Sequence, residues 1–458
     1  MGIKNRLIIM SFLQFFVWGA WLITIANYWF GTKNWDGTQF GLVFGTMGIA
    51  SLFMPTLTGI MADRWINAEK LYGFLHILYA GVLFYIPQVT TPENFIYIML
   101  LAMCFYMPTI ALSNSISFSA LKLNNKDVVK NFPPIRVWGT IGFIVAMWIT
   151  NLTGNKATEY QFYIAGIAAL LLGIYAFTLP KCEPQRLSKK NASLMETLGL
   201  ESFKLFADYK MALFFIFSMF LGGALQLTNA YGDVFLDEFK HFPKYADSFV
   251  VEYSTIIMSI SQVSETLFIL AIPFFLKRFG IKQVMLISML AWVLRFGLFA
   301  YGNPTTGLWM IIMSCVVYGM AFDFFNISGS LFVETNTDPK NRSSAQGLFM
   351  MMTNGFGAVL GSFTSGWAID KYFTKSFSNT SELAGFLETE TTNPKMLEFI
   401  TSQGNSIATD GLFSKAVLMK DWHTIWLAFA TYALVIAIAF ALLFKHKHDP
   451  LEVEKISH

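Results

Sequence analysis

Twelve long apolar runs occupy most of this chain between Arg6 and Phe444, and as helices they are long enough to cross a hydrocarbon slab of about 30 Å. They lie at 7–30, 39–62, 70–88, 93–120, 133–153, 161–180, 211–235, 250–276, 280–301, 306–333, 343–370 and 422–444. No water reaches backbone groups inside a bilayer, so runs of this kind close their own hydrogen bonds as helices. The predicted fold class is an all-α membrane protein with twelve transmembrane helices. Hydrophobic residues make up 55% of the 458 and charged residues only 13%, which excludes a single soluble core.

With the N-terminus placed inside, the outer connections carry Lys33, Lys156, Lys240 and Lys244 besides the lysines of a long 371–421 segment, and most of the 32 Lys and Arg fall inside. That asymmetry obeys the positive-inside rule and predicts that both termini are cytoplasmic. The net charge of +3 follows from the same bias, so no nucleic-acid partner is called for. The first run holds Trp18, Trp21 and Trp29, exceeds a signal-peptide core in length and lacks a small-residue cleavage pattern, so it reads as a retained span. Cys104, Cys182 and Cys315 are far apart, without CxxC or Cys/His spacing, and imply neither a disulfide nor a metal site.

The longest inner connection, 181–210, divides the runs six and six and is rich in charge. This gives a domain plan of an N-terminal six-helix bundle at 1–180, a linker at 181–210, a C-terminal bundle at 211–445 interrupted by the 371–421 segment, and a tail at 446–458. Within the linker, Ser193-Leu-Met-Glu196 has capping-box spacing, and Leu194, Leu198, Leu205 and Phe206 share one side of a short helix that would lie flat at the inner interface. The 371–421 segment is rich in Thr, Ser, Asn and Glu, and its composition fits either disorder or a small lid. Two six-helix halves fit a pseudo-symmetric arrangement with a binding site near the midplane between them.

Polar side chains interrupt the runs in sets spaced as helix neighbours. Arg136, Thr140 and Phe143 stand at i, i+4 and i+7; Gln226 with Asn229 and Gln262 with Glu265 stand at i, i+3; Tyr318, Phe322 and Asp323 follow on a later run. A charge at the bilayer centre costs about 2.5 to 3.5 kcal/mol on insertion scales, so Glu265 and Asp323 should face a polar interior. Read alone, each amide serves equally well as glue between helices, Phe143 and Phe322 as core or lipid-facing rings, and Arg136 as a side chain snorkelling to the inner interface. Gly139, Gly142, Gly357 and Gly361 mark places where helices should approach closely.

Longer motifs narrow the reading. Gly59-Ile-Met-Ala-Asp63-Arg64 resembles the Gly-x-x-x-Asp-Arg loop of the major facilitator superfamily, which implies a gating role for Asp63 and Arg64, and Lys277-Arg278-Phe-Gly280-Ile-Lys282 is a weaker counterpart. The stretches from Phe132 to Phe143, Phe217 to Asn229, Ile257 to Ile269 and Val317 to Ser330, with Ser344-Ala-Gln-Gly347, are similar to the nucleoside:proton symporter family of that superfamily, in particular to its broad-specificity bacterial nucleoside permeases. The resemblance covers nearly the whole chain except 371–421, which looks like a periplasmic insertion. It implies the major facilitator fold in a bacterial inner membrane and a monomeric transporter that imports purine and pyrimidine nucleosides with protons by alternating access. A narrower permease of the same fold, for xanthosine or a sugar, is the alternative. No cofactor is implied beyond the proton as coupling ion, and no enzyme pattern (HExxH, GxSxG or a P-loop) is present.

Carried onto matching positions, the implied nucleoside site is Arg136, Thr140, Phe143, Gln226, Asn229, Gln262, Glu265, Tyr318 and Phe322. These residue types suit the ligand: a carboxylate and amides give ribose hydroxyls both donors and acceptors, while aromatic rings stack on the flat base. Ala224 stands where the resemblance implies an acid, a departure that bears on specificity. Glu265 and Asp323 are the candidate proton carriers, the alternative for Asp323 being a structural ion pair with Arg295 of the preceding run, and His76 is expected to be structural. The fifth run lacks the Gly-Pro element of drug/proton antiporters, which favours uptake over efflux.

Overall fold

The computed structural model describes residues 2–126, 128–184, 200–337 and 342–446. Its N-terminal half holds α1 (Ile3–Gly19), α2 (Gly37–Arg64), α3 (Ala68–Tyr85), α4 (Pro92–Leu123), α5 (Val128–Leu152) and α6 (Tyr160–Ala176). The C-terminal half holds α7 (Tyr209–Asp237), α8 (Ser254–Tyr301), α9 (Leu308–Asn336), α10 (Arg342–Met350), α11 (Ala358–Ala368), the short α12 (Thr380–Phe386) and α13 (Pro394–Ser402), and α14 (Trp422–Leu443). Among the described residues eight helices are long and apolar enough to cross a membrane: α2, α3, α4, α5, α7, α8, α9 and α14.

The remaining runs are helical in other ways. Two of them, 250–276 and 280–301, form the two limbs of α8, which folds back at Gly280, where φ is 76° and a residue without Cβ is favoured. The run at 161–180 forms the shorter apolar helix α6. The first run is interrupted after α1 and resumes as a π-helical stretch at Asn27–Thr32, and the run at 343–370 is α10, a π-helical stretch at Met351–Gly357, and α11. Such wide turns shift the side chains that follow, and they recur at functional sites.

In the N-terminal half α1 packs on α5 and α6, α3 on α4 and α6, and α2 on α4; in the C-terminal half α8 packs on α9 and α14, and α7 on α11. Between the halves α2 meets α11 and α5 meets α8. Small residues set these approaches. A Cβ placed on Gly142 would lie 2.1 Å from the Phe12 carbonyl oxygen, so α1 and α5 meet backbone to backbone; one on Gly361 would lie 2.4 Å from Gly223 Cα.

Residues 371–421, for which composition left disorder open, form a folded unit. Strand β1 (Thr374–Asn379) pairs antiparallel with β2 (Leu412–Lys420) in a register that sets Phe377 opposite Val417. Leu383, Leu387, Met396 and Ile400 are buried with them in a separate small core. The unit is fastened to the connection after α7 by Lys420–Glu238 at 2.7 Å and Lys395–Asp247 at 2.5 Å, and by Phe386 against Phe242. In the linker, Ser193, Leu194, Glu196 and Leu198 lie outside the described residues. Its end, Leu200–Ala207, is a 3-10 helix whose Phe206 packs on Phe215 of α7.

Candidate functional site

Where the halves face each other they enclose a cavity of about 800 Å³, and all nine residues singled out from the sequence line it. Arg136, Thr140 and Phe143 come from α5, Gln226 and Asn229 from α7, Gln262 and Glu265 from the first limb of α8, and Tyr318 and Phe322 from α9. The spacings of three and four that put each set on one helix face therefore also aim those faces at one space.

On the N-terminal side the Arg136 guanidinium lies over the Phe15 ring at 3.9 Å, so it points into the cavity instead of leaving for the interface. Trp18 stands edge-on to Phe143 at 6.3 Å. On the C-terminal side Tyr318 and Phe322 are parallel within 9°, their ring centres 6.0 Å apart, and form one aromatic wall. Next to that wall, a Cβ on Gly319 would lie 2.6 Å from the Ser264 carbonyl oxygen and 2.7 Å from Glu265 N. Glycine thus lets α9 lie directly on the α8 backbone at Glu265, and the Ser264 hydroxyl donates to the Val316 carbonyl across that contact.

The polar groups around the cavity are incompletely matched by protein. Gln226 Oε1 and Gln262 Oε1 are buried acceptors without a partner among the described residues. Arg136 and Glu265 feel each other's charge, yet no ion pair joins them among the described residues. An unpaired buried acceptor costs about 1 to 3 kcal/mol, which a ligand supplying donors recovers.

Asp323 departs from expectation in its surroundings. It does not line the cavity but lies buried beside it, 3% exposed, with Oδ2 unpartnered and within electrostatic reach of Glu265. Arg295 does not neutralise it: the guanidinium donates to the Ser314 carbonyl at 2.6 Å and lies over the Tyr318 ring at 4.7 Å. Ala224 is fully buried and absent from the lining, so its departure from the implied acid bears on packing and not on contact with a ligand. Arg64 ends α2, while the Asp63 side chain lies outside what the structure describes.

Sequence reasoning missed other lining residues: Phe15, Trp18, Asn114 and Asn354. Asn114 sits in a polar run, Ser113-Asn114-Ser115, inside an apolar span, and Asn354 sits in the π-helical stretch beside a glycine; both signals were present in the sequence. A second missed group joins the halves at the end of the molecule that carries the 371–421 unit. Asn27 donates to Asp233; Lys156 pairs with Asp237 at 2.7 Å; Asn151 Nδ2 donates to the Glu252 carbonyl at 2.9 Å; Asp370 accepts from Gly37 N at 3.0 Å and from the Thr38 hydroxyl at 2.8 Å. The cavity extends the other way, toward Thr56, Asn114 and Gly347, at the ends of their helices that face the termini.

The profile of the family described as Nucleoside H+ symporter matches residues 1–449. The chain is 49% identical to the xanthosine permease of Escherichia coli (strain K12), over 100% of this chain and 99% of the relative, and 46% identical to nucleoside permease NupG of the same organism over 100% of both. Two crystal structures of nucleoside transporter NupG, one of a point mutant, superpose with TM-scores of 0.82 and 0.85 at 46% and 45% identity, covering 98% and 97% of this chain and 100% of each. Because those alignments run the full length, residues 371–421 are shared with both permeases and are not an insertion relative to them.

Proposed function

The chain belongs to the nucleoside H+ symporter family, and from that premise we propose that the cavity between its halves binds one nucleoside, purine or pyrimidine, and releases it to the cytoplasm with a proton. It is a multi-pass membrane transporter of the major facilitator type and not an enzyme. The observation that carries the site reading is the cavity itself. Nine side chains from four helices converge on one space, with buried amide acceptors that lack protein partners and a flat aromatic wall.

In this reading the base stacks on Tyr318 and Phe322, while Gln226, Asn229 and Gln262 meet its edge or the sugar. Glu265 and Arg136 take ribose hydroxyls from opposite sides. Protonation of a carboxylate that touches the sugar couples the two cargoes directly, because the site then differs with and without the proton. Glu265 and Asp323 act together in this reading, because the Glu265 charge reaches Asp323 and a proton on Glu265 alters that influence. The polar contacts at the 371–421 end close the outer side, the cavity opens toward the cytoplasm with both termini there, and one chain suffices. Asp63 and Arg64 are read as a latch at the inner end of α2.

Uptake of labelled uridine into proteoliposomes, with and without an inward proton gradient, tests the coupling. Accumulation only with the gradient is expected; equal slow equilibration under both conditions would leave a facilitator. Competition by purine nucleosides, xanthosine and free ribose tests the range, and block by xanthosine alone would establish the narrower permease.

A further inference from the structure

Arg295 is the largest buried charge that the site does not use. It lies on the second limb of α8 at 0% exposure, and among the described residues no carboxylate reaches ion-pair distance of it. A cation placed so deep is costly unless its donors are met, and inside a membrane span it calls for a functional account.

Its partners supply one. Nη1 donates to the Ser314 carbonyl at 2.6 Å and to the Ser261 hydroxyl at 3.4 Å, and Nε donates to the Thr228 hydroxyl at 3.4 Å. Ser314 returns a hydrogen bond to the Arg295 carbonyl at 2.9 Å. These partners sit on three different helices, each beside a lining residue. Thr228 lies between Gln226 and Asn229 on α7, Ser261 precedes Gln262 on α8, and Ser314 stands one turn before Tyr318 on α9. The guanidinium also lies 4.7 Å from the centre of the Tyr318 ring, behind the wall that Tyr318 forms with Phe322, and Trp292 meets that ring edge-on from the Arg295 helix.

We propose that Arg295 is a positioning residue for the nucleoside site: one planar guanidinium behind the cavity fixes the relative placement of the three helices that carry its C-terminal wall. The geometry requires a fork with separated donors and a flat cation, which arginine provides and lysine does not. The inference rests on the cavity being the nucleoside site.

The test is titration calorimetry of uridine on purified full-length protein, with thermal midpoints measured in parallel, for wild type, Arg295→Gln, Arg295→Lys, Phe322→Ala and the packing control Phe440→Ala. Both Arg295 variants should raise Kd about tenfold or more at temperatures where they are folded, with lysine giving no rescue. Phe440→Ala should lower the midpoint and leave Kd alone. Arg295 variants that lose stability while binding uridine as wild type does would overturn the proposal, as would full rescue by lysine, which would leave charge and not the fork as the requirement. Should Arg295→Gln fail to fold, Thr228→Val and Ser261→Ala each remove one branch and should raise Kd about threefold; unchanged Kd in both would overturn it. An unchanged Kd in Phe322→Ala would instead sink the reading of the cavity, so the two failures are distinguishable.

Discussion

The cavity and the end of the molecule that carries residues 371–421 use similar side chains in opposite ways. At the end that carries residues 371–421 most charges are paired, Asp237 with Lys156 and Lys240, Glu238 with Lys420 and the Trp422 indole, and Asp370 with the start of α2, while the buried Asp233 takes only the Asn27 amide. Around the cavity Arg136, Glu265 and Asp323 form no ion pair among the described residues, and two glutamine oxygens are unpartnered. Of the paired contacts, Lys156–Asp237 and Asp370 at the start of α2 tie one half to the other, while the unpaired groups around the cavity are open to a ligand whose binding changes their energy. A transporter needs both, since a site satisfied by its own protein would bind nothing and an unpaired gate would hold nothing shut.

The largest expected effect breaks the unpaired side of that comparison. Glu265→Gln keeps the shape and removes titration, so accumulation of uridine driven by a proton gradient should be abolished while exchange of bound nucleoside survives in proteoliposomes. Binding must be measured on the same protein, because a charged acceptor for the sugar is lost as well. If Glu265→Gln still accumulates uridine and Asp323→Asn does not, the proton belongs to Asp323, and Glu265 is a sugar ligand only.

Arg136→Ala should come next. A charge-assisted hydrogen bond is worth about 1.5 to 3 kcal/mol, roughly a ten- to hundredfold rise in Kd by calorimetry. Unchanged affinity would mean that Arg136 lies in the cavity wall without holding the ligand. Phe322→Ala removes half of the aromatic wall, and stacking worth about 1 to 3 kcal/mol per base should weaken all nucleosides alike. A loss confined to purines or to pyrimidines would contradict stacking on that ring.

The smallest effect sharpens the paired side. Lys156→Ala leaves Asp237 with Lys240 but removes a part-buried pair that crosses between the halves, so that end of the molecule should loosen while uridine binding changes least. Spin labels placed on either half near residues 34 and 244 should then show a larger population at long separation, with Kd for uridine little changed. An unaltered distance distribution would show that Lys156 does not help to hold the gate.

Helices, their places in the chain and the faces that carry the site were legible in the sequence, because apolar run length and a period near 3.6 are local properties. That local signal placed Arg136 with Phe143, the Gln226 and Gln262 pairs, and Tyr318 with Phe322 on shared helix faces, the family resemblance marked them as a site, and the fold brings all of them to one cavity. What tertiary structure alone decided is which faces meet. The Asn27–Asp233 bond joins residues 206 apart in the chain, Gly319 matters only because the α8 backbone lies against it, and Arg295 serves Tyr318 and not Asp323 because of where α9 sits. The ordered unit at 371–421 escaped a hydropathy reading for a related reason. Its core is assembled from Phe377, Leu383, Met396, Ile400 and Val417, single apolar residues scattered over a polar segment, and only folding makes them neighbours.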